Sequence, residues 1–408
     1  MRLAVCVAVC VLALLNSFLL VCASLDGASI VVRWNHSLPV YDIFDSSPSL
    51  VLAGSILMLQ TWSNVGQSGT GTAYVPSNGA VAYQLAPTLL STNTPPSYDA
   101  ASNSLIGFNG TAVMVMESSS GALRWTAPLF DFGSSIVAGS NLLALGLGVE
   151  FNQMSLDLAS GHVQYNQSEE TTSGVWFVQA DEQLVVQGFE QSYFLTSPTN
   201  GSNIDWSDIG CGAYSYGPPT GAQTAFRDGV FYVCTPPNDL TPLSFVQAYD
   251  PRHGWKLILN ATLTSQCTVI IGSGMTEILL NTDASVGVLA VQNPPALVGI
   301  DLTHGKQIWS VPLPVQVDNN TTLAMYPCMD GDQLWFYEAY SFTDQPLIIA
   351  TRALAVDVAT GMLLASLVLQ QQILDATPQC GGGVAFLLME DPTVGQQAGG
   401  YLIAIEVK

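Results

Sequence analysis

Three of the four histidines stand beside a glycine, and an acid stands four residues before each of those glycines. The sets are Asp157 with Gly161 and His162, Asp250 with His253 and Gly254, and Asp301 with His304 and Gly305. An imidazole within reach of a carboxylate can move a proton or ligate a metal. The same acid-to-glycine spacing recurs without histidine at Glu117 with Gly121 and at Asp357 with Gly361. The acid therefore belongs to a repeated turn, and the histidines read as exposed turn residues; His36 stands apart. Met329-Asp330-Gly331-Asp332 resembles a fragment of a calcium loop but lacks the further spaced ligands and the closing glutamate, so it reads as a plain hairpin turn. Gly-x-Ser-x-Gly, His-Glu-x-x-His and P-loop patterns are missing from the chain. No residue is assigned a catalytic, cofactor-binding or metal-binding role.

The cysteines offer a different chemistry. Cys6, Cys10 and Cys22 fall in an N-terminal segment expected to be removed, and the other five, Cys211, Cys234, Cys267, Cys328 and Cys380, all lie in the second half. None has Cys-x-x-Cys spacing, and one or two disulfides with a thiol left over are expected in an oxidising compartment. The expected pair is Cys211 with Cys234, joining a loop to the strand that follows it. Cys328 and Cys380 occupy equivalent places, each ending an inner strand before its turn. A bridge between them needs Cα atoms within about 7 Å, and they read as buried structural thiols.

The elements that must position these groups repeat. Val115 to Trp125, Leu156 to Tyr165, Ile300 to Trp309 and Val356 to Ala365 align as an apolar residue, an acid, three residues, Gly, three residues and usually an aromatic. Such a unit is a β-hairpin: the acid accepts from turn amides, and the glycine supplies a positive φ. A second hairpin precedes each copy, with turns at Gly54, Gly139, Gln179 to Gln183, Gly229, Gly272 to Gly274, Gly331 and Gly381 to Gly383. Four short strands recurring every ~40 to 55 residues describe a propeller blade. Seven outer strands follow the glycines, while Tyr401 to Lys408 is a third strand with nothing after it. Ile30 to Leu38 resembles the missing outer strand. The expectation is an all-β, eight-bladed β-propeller of four-stranded antiparallel blades, closed by an N-terminal strand that completes the last blade. Seven blades follow instead if the weak unit from Tyr193 to Trp206 is an insertion.

Composition sets the surroundings. Residues 1–23 carry one charge, Arg2, then apolar stretches interrupted by Asn16 and Ser17, and read as a secretory signal ahead of a single domain, 24–408. The rival reading is an uncleaved anchor, which would make the chain a membrane-tethered sensor ectodomain. No second apolar segment of about 20 residues follows. Nine Lys+Arg face 31 Asp+Glu, for a net charge of -22. Such a surface repels nucleic acid and favours a protein or cationic partner. Asn35, Asn109, Asn166, Asn200, Asn260, Asn319 and Asn320 begin Asn-X-Ser/Thr sequons, which behind a signal suggest a glycoprotein of a eukaryotic secretory pathway, extracellular or lumenal.

Ala355-Val-Asp357-Val-Ala-Thr-Gly361 and Gly299-Ile-Asp301-Leu-Thr-His-Gly305-Lys-Gln-Ile-Trp309 resemble the tryptophan docking motif of quinoprotein (pyrroloquinoline quinone repeat) propellers. The resemblance spans the mature chain as a repeat. It implies tryptophans that lock neighbouring blades, through Glu117, Gly121, Trp125, Asp157, Gly161, Asp250, Gly254, Asp301, Gly305, Trp309, Asp357 and Gly361. It does not carry the cofactor. The family's enzymes resemble one another in a disulfide between neighbouring cysteines, a calcium held by Glu and Asn, and cationic side chains around a three-carboxylate quinone. No adjacent cysteines occur here, and few basic residues remain. The expected function is a secreted, non-enzymatic binding or scaffold protein without a cofactor. A degenerate quinone-dependent oxidoreductase, with quinone and calcium, is the alternative. Recognition is expected in the loops at 197–225, 236–246 and 341–351, which include Tyr214 and Tyr216.

Overall fold

The computed structural model describes residues 28–42, 48–63, 68–86, 96–129, 132–147, 151–169, 175–180, 184–189, 192–207, 223–235, 244–263, 265–267, 278–292, 296–312, 321–342, 351–369, 378–391 and 397–408. Residues 1–23, Cys211, Tyr214, Tyr216, Asn319 and Asn320 lie outside them, as do most of the three loop insertions and the glycines at 272 and 274.

Strand β1 (Ile30–Asp42) comes first in the chain and joins the last sheet. Sheet I holds β2 (Ser49–Ala53), β3 (Ile56–Ser63), β4 (Ser68–Tyr74) and β5 (Val81–Leu85). Sheet II holds β6 (Ser97–Asp99), β7 (Ser104–Phe108), β8 (Ala112–Glu117) and β9 (Leu123–Pro128). Sheet III holds β10 (Phe132–Ala138), β11 (Asn141–Leu147), β12 (Phe151–Asp157) and β13 (Val163–Glu169). Sheet IV holds β14 (Val175–Ala180), β15 (Val185–Phe189), β16 (Ser192–Thr196) and β17 (Asn203–Ser207). Sheet V holds β18 (Gln223–Arg227), β19 (Val230–Thr235), β20 (Ser244–Asp250) and β21 (Lys256–Leu263). In sheet VI two short strands, β22 (Gln266–Cys267) and β23 (Leu279–Leu280), share the edge of β24 (Val286–Gln292), followed by β25 (Ala296–Asp301) and β26 (Lys306–Pro312). Sheet VII holds β27 (Thr321–Asp330), β28 (Gln333–Phe342), β29 (Thr351–Asp357) and β30 (Leu363–Leu369). Sheet VIII runs β31 (Gln379–Gly381), β32 (Val384–Asp391), β33 (Gln397–Val407) and then β1.

Among the described residues every pairing is antiparallel, and strands pair with sequence neighbours except β22, which pairs with β24 past β23, and β1, which pairs with β33 so that Ile30 meets Val407 and Leu38 meets Gly400. The weak unit around Trp206 is a four-stranded sheet, IV, like the others. In sheet VI the first turn runs from Asn281 to Ser285, not at Gly272 to Gly274. It carries no glycine, and Ala284 takes the positive φ of 53°.

The middle strands are apolar along their length because both faces are covered. Leu334 and Phe336 of β28 pack with sheet VI, while the intervening Trp335 and Tyr337 pack with sheet VIII. Among the described residues a buried apolar cluster lies between each sheet and the next, and another joins sheet VIII to sheet I through Phe386, Leu402, Leu50 and Leu57.

Aromatic rings fasten many of these interfaces. Trp34 of β1 donates its indole N–H to Pro76 O (2.7 Å), Tyr83 of β5 its hydroxyl to Ser118 O (2.5 Å), Trp125 of β9 to Leu158 O (2.9 Å) and Trp309 of β26 to Val358 O (2.6 Å). Each acceptor sits in the turn between the third and fourth strands of the next sheet. The glycine in that turn lets the ring lie on the backbone. At Gly361, with φ +71°, a Cβ would stand 2.5 Å from Trp309 Cγ. Tyr165 stands at the corresponding register of sheet III but takes a hydrogen bond from Gln153 (2.7 Å). There Gln167 meets the next turn, at Gly201.

Candidate functional site

The turns between first and second strands, and those between third and fourth, emerge on one face. Neighbouring turns are bonded to one another there. Arg227 of sheet V donates to Asn281 O (2.9 Å) and Thr282 O (2.6 Å) of sheet VI, and Asn281 Nδ2 donates to Asp332 Oδ1 of sheet VII (3.4 Å). Gly383 N of sheet VIII donates to Asp330 Oδ2 (2.6 Å), and Leu52 N of sheet I donates to Gln379 Oε1 of sheet VIII (3.3 Å). The two aspartates of the Met329–Asp332 segment thus link inner turns. Among the described residues no three His, Cys, Asp or Glu side chains converge as a metal site.

The acids of the repeated turns face their own backbone. Asp157 Oδ1 accepts from Ser160 N (2.8 Å) and Oγ (2.6 Å), and Asp357 Oδ1 from Thr360 N (2.8 Å) and Oγ1 (2.5 Å). Asp301 accepts from Thr303 N and His304 N, with His304 Nδ1 2.7 Å from its second oxygen. Asp250 accepts from Arg252 N and lies 2.6 Å from His253 Nδ1. These partners hold carboxyls below the ordinary range: the Ser160 hydroxyl for Asp157, His253 for Asp250 and His304 for Asp301. Glu117 differs, pairing with Arg124, whose hydrogen bond lowers its carboxyl. Gly121 and Gly161 lie under the rings of Tyr83 and Trp125, Gly305 meets Leu259, and Gly254 has no atom within 4 Å of its would-be Cβ.

A groove of about 880 Å³ opens between sheets II and III on this face. Ser97, Tyr98 and Asp99 of β6, with Ser102, form one wall; Ser135, Ile136 and Val137 of β10, with Ser140, form the other; Leu158 and Ala159 close the outer end. Asp99 Oδ2 is held by Ser102 N (2.8 Å) and Ser102 Oγ (2.5 Å), and Tyr98 donates to Asn103 Oδ1 (3.1 Å). The lining combines hydroxyls, one carboxylate and an apolar floor, and includes no histidine, cysteine or lysine. Such a surface can hydrogen-bond and bury an apolar side chain. The groove was not foreseen in the sequence. Its only signal was the serine content on either side of two turns.

Cys234 bonds to Cys267, with Cα atoms 6.0 Å apart, which corrects the pairing with Cys211. Cys234 faces the next sheet from β19, and β22 brings Cys267 to the same cluster. Cys328 and Cys380 are free and partly buried. Of the sequon asparagines, Asn35, Asn166, Asn200 and Asn260 are exposed, and Asn109 is partly buried, accepting from Thr111 and Ala112. Among the described residues no helix is long and apolar enough to cross a membrane.

No protein-family model matches the chain, and no curated protein matches its sequence. Solved structures do match. BamB from Moraxella catarrhalis superposes over 92% of this chain and 99% of its own, with TM-score 0.57 and 12% identity. The C-terminal WD40 domain of Sif2 superposes over 91% and 99%, with TM-score 0.57 and 13% identity. The quinohemoprotein alcohol dehydrogenase ADHIIG from Pseudomonas putida HK5 superposes over 92% and 76%, with TM-score 0.54 and 10% identity. The chain is a β-propeller. At these identities the likeness carries the fold alone. Several basic side chains are used within the fold: Arg33 pairs with Glu406, Arg124 with Glu117, and Arg227 caps a neighbouring turn, while Lys256 and Lys306 are exposed on outer strands.

Proposed function

We propose that this propeller is a secreted or lumenal scaffold, non-enzymatic, that binds a protein or a cationic ligand. In this reading it has eight blades of the quinoprotein-like kind, closed by β1, and needs no cofactor. Its partner is not nucleic acid, and residues 1–23 are removed. The clusters between successive sheets, together with the pairing of β1 with β33, support the eight-bladed ring. The observation that carries binding over catalysis is the use of the acids. Asp157, Asp250, Asp301 and Asp357 hold their own turns, whereas the II–III groove offers hydroxyls over an apolar floor, the chemistry of recognition. The negative surface draws cationic partners toward it. Exposed Asn35, Asn166 and Asn260 lie on outer strands, where glycans would leave the groove open.

Intact and peptide mass spectrometry of the secreted protein tests this reading, with and without deglycosylation, reduction and calcium. A start at Ser24 or Leu25, sugars on the exposed sequons and no bound mass are expected. A retained leader would make the chain a tethered ectodomain. A bound quinone, or colour and turnover after reconstitution with quinone and calcium, would overturn the scaffold reading. S135R/S140R places two bulky cations in the groove. It should leave the melting temperature within about 2 °C of wild type while abolishing partner capture; unchanged capture would move the site elsewhere.

A further inference from the structure

The interfaces between sheets are not fastened alike. Aromatic rings dock from sheet VIII to I, I to II, II to III and VI to VII, through Trp34, Tyr83, Trp125 and Trp309. From sheet V to VI the turn at Gly305 meets Leu259 instead, and the Cys234–Cys267 bond crosses that same interface. From sheet VII to VIII the docking position is Ala365, whose partner Ala355 matches the register of Gly299 with Trp309. Sheet VIII has no turn there to dock on, since its third and fourth strands are β33 and β1. Cys328 and Cys380 stand at this interface, on the first strands β27 and β31, which touch. The two thiols pack on one apolar cluster, where burial, and then the neighbouring Cys380, holds the Cys328 proton more tightly. The bond from Gly383 N to Asp330 Oδ2 holds the two strand ends together just beyond them. Among the described residues the buried Tyr337 hydroxyl has no hydrogen-bond partner, and its proton is held more tightly through burial and then through the two nearby sulfurs.

We propose that Cys328 and Cys380 form a cystine that fastens sheet VII to sheet VIII, as Cys234–Cys267 fastens V to VI. Cysteine pairs would then stand where a docking ring is replaced by a small or aliphatic residue. The bond forms by exchange with a disulfide donor, such as oxidised glutathione. One cysteine, as thiolate, attacks a donor sulfur and expels the donor's other half as a thiolate. The second cysteine, as thiolate, displaces the remaining half. Two electrons pass from the pair to the donor, and the two cysteine protons end on the two released thiols. Of the five cysteines after residue 23, Cys211 is left as the odd thiol.

The test uses the purified full chain equilibrated in oxidised and reduced glutathione, acid-quenched, alkylated under denaturing conditions and mapped without reduction. The expected result is a linked peptide pair containing Cys328 and Cys380, with two glutathiones released per bond and Cys211 alkylated. In C380A, Cys328 should become alkylatable while Cys234–Cys267 persists. The proposal is overturned if both cysteines alkylate in wild type, if each ends as a glutathione adduct, or if Cys328 links to Cys211. Because the buffer sets the redox state, this outcome is independent of where the protein resides, which the N-terminal peptide reports separately.

Discussion

Gly361 and Trp309 show how one residue's geometry serves another's. The positive φ and the missing Cβ of Gly361 let the Trp309 ring cover the turn, while its N–H satisfies Val358 O. Trp309→Ala should therefore destabilise the fold by about 3–5 kcal/mol, read by chemical denaturation. Gly361→Ala should cost well over ~1 kcal/mol, because strain and collision add. Gly254→Ala, with the same sign of φ (+68°) and open space around it, should cost about 1 kcal/mol. In the W309A background the cost of G361A should shrink toward that of G254A; strict additivity would sink the account. At this scale the sequence is legible where a motif is short and local. The acid, the glycine and the tryptophan lie within one hairpin, so their spacing survives in the chain. The partner of Cys234 was misread because Cys267 lies on the next sheet, in a strand of two residues that carries no pattern.

Among elements, β1 was readable because Ile30 to Leu38 repeats the residues that follow the turn glycines, and the chain offered β33 without a partner. The first strand of sheet VI was not readable. Split into two-residue pieces and followed by a turn without glycine, it has neither alternation nor punctuation to detect. The importance of β1 is testable. Removing residues 1–42 exposes the edge of β33, whose register with β1 spans Gln397 to Val407. The truncated chain should associate, by size-exclusion chromatography, and melt at a lower temperature. A peptide of residues 28–42 added in trans should restore the monomer and raise the melting temperature. A truncated chain that stays monomeric and melts like wild type would show that β1 is dispensable.

For the whole molecule, charge governs the response to solution conditions. At a net charge of -22, self-repulsion opposes compactness, so adding salt at pH 7 should raise the melting temperature. Acidification should act in two stages. Protonating carboxylates first relieves repulsion, giving a shallow rise toward about pH 5. The carboxyls of Asp157, Asp250, Asp283, Asp301 and Glu117 are lowered in the fold, chiefly by Ser160, His253, Ser285, His304 and Arg124. Their unfolded forms therefore bind protons more readily. The stability they contribute is complete above the ordinary carboxylate range and is lost as pH falls through their folded values. The denaturant midpoint should drop below about pH 4; a midpoint still rising at pH 3 would contradict this assignment. The repeat made the architecture visible at this scale, since one unit recurs along the chain. The groove between sheets II and III was hidden because its walls come from two units that no local pattern relates.

The pairing of β1 with β33 also sets a clock on synthesis. Ile30 is made long before its partner Val407. A ribosome adding about 5–20 residues per second leaves the leading strand waiting on the order of tens of seconds. Sheets I to VII, built from sequence neighbours, can form as they emerge. Sheet VIII can only be completed once β33 has emerged. Until then the nascent chain carries an unmated strand, and completing sheet VIII joins two strands made far apart in time.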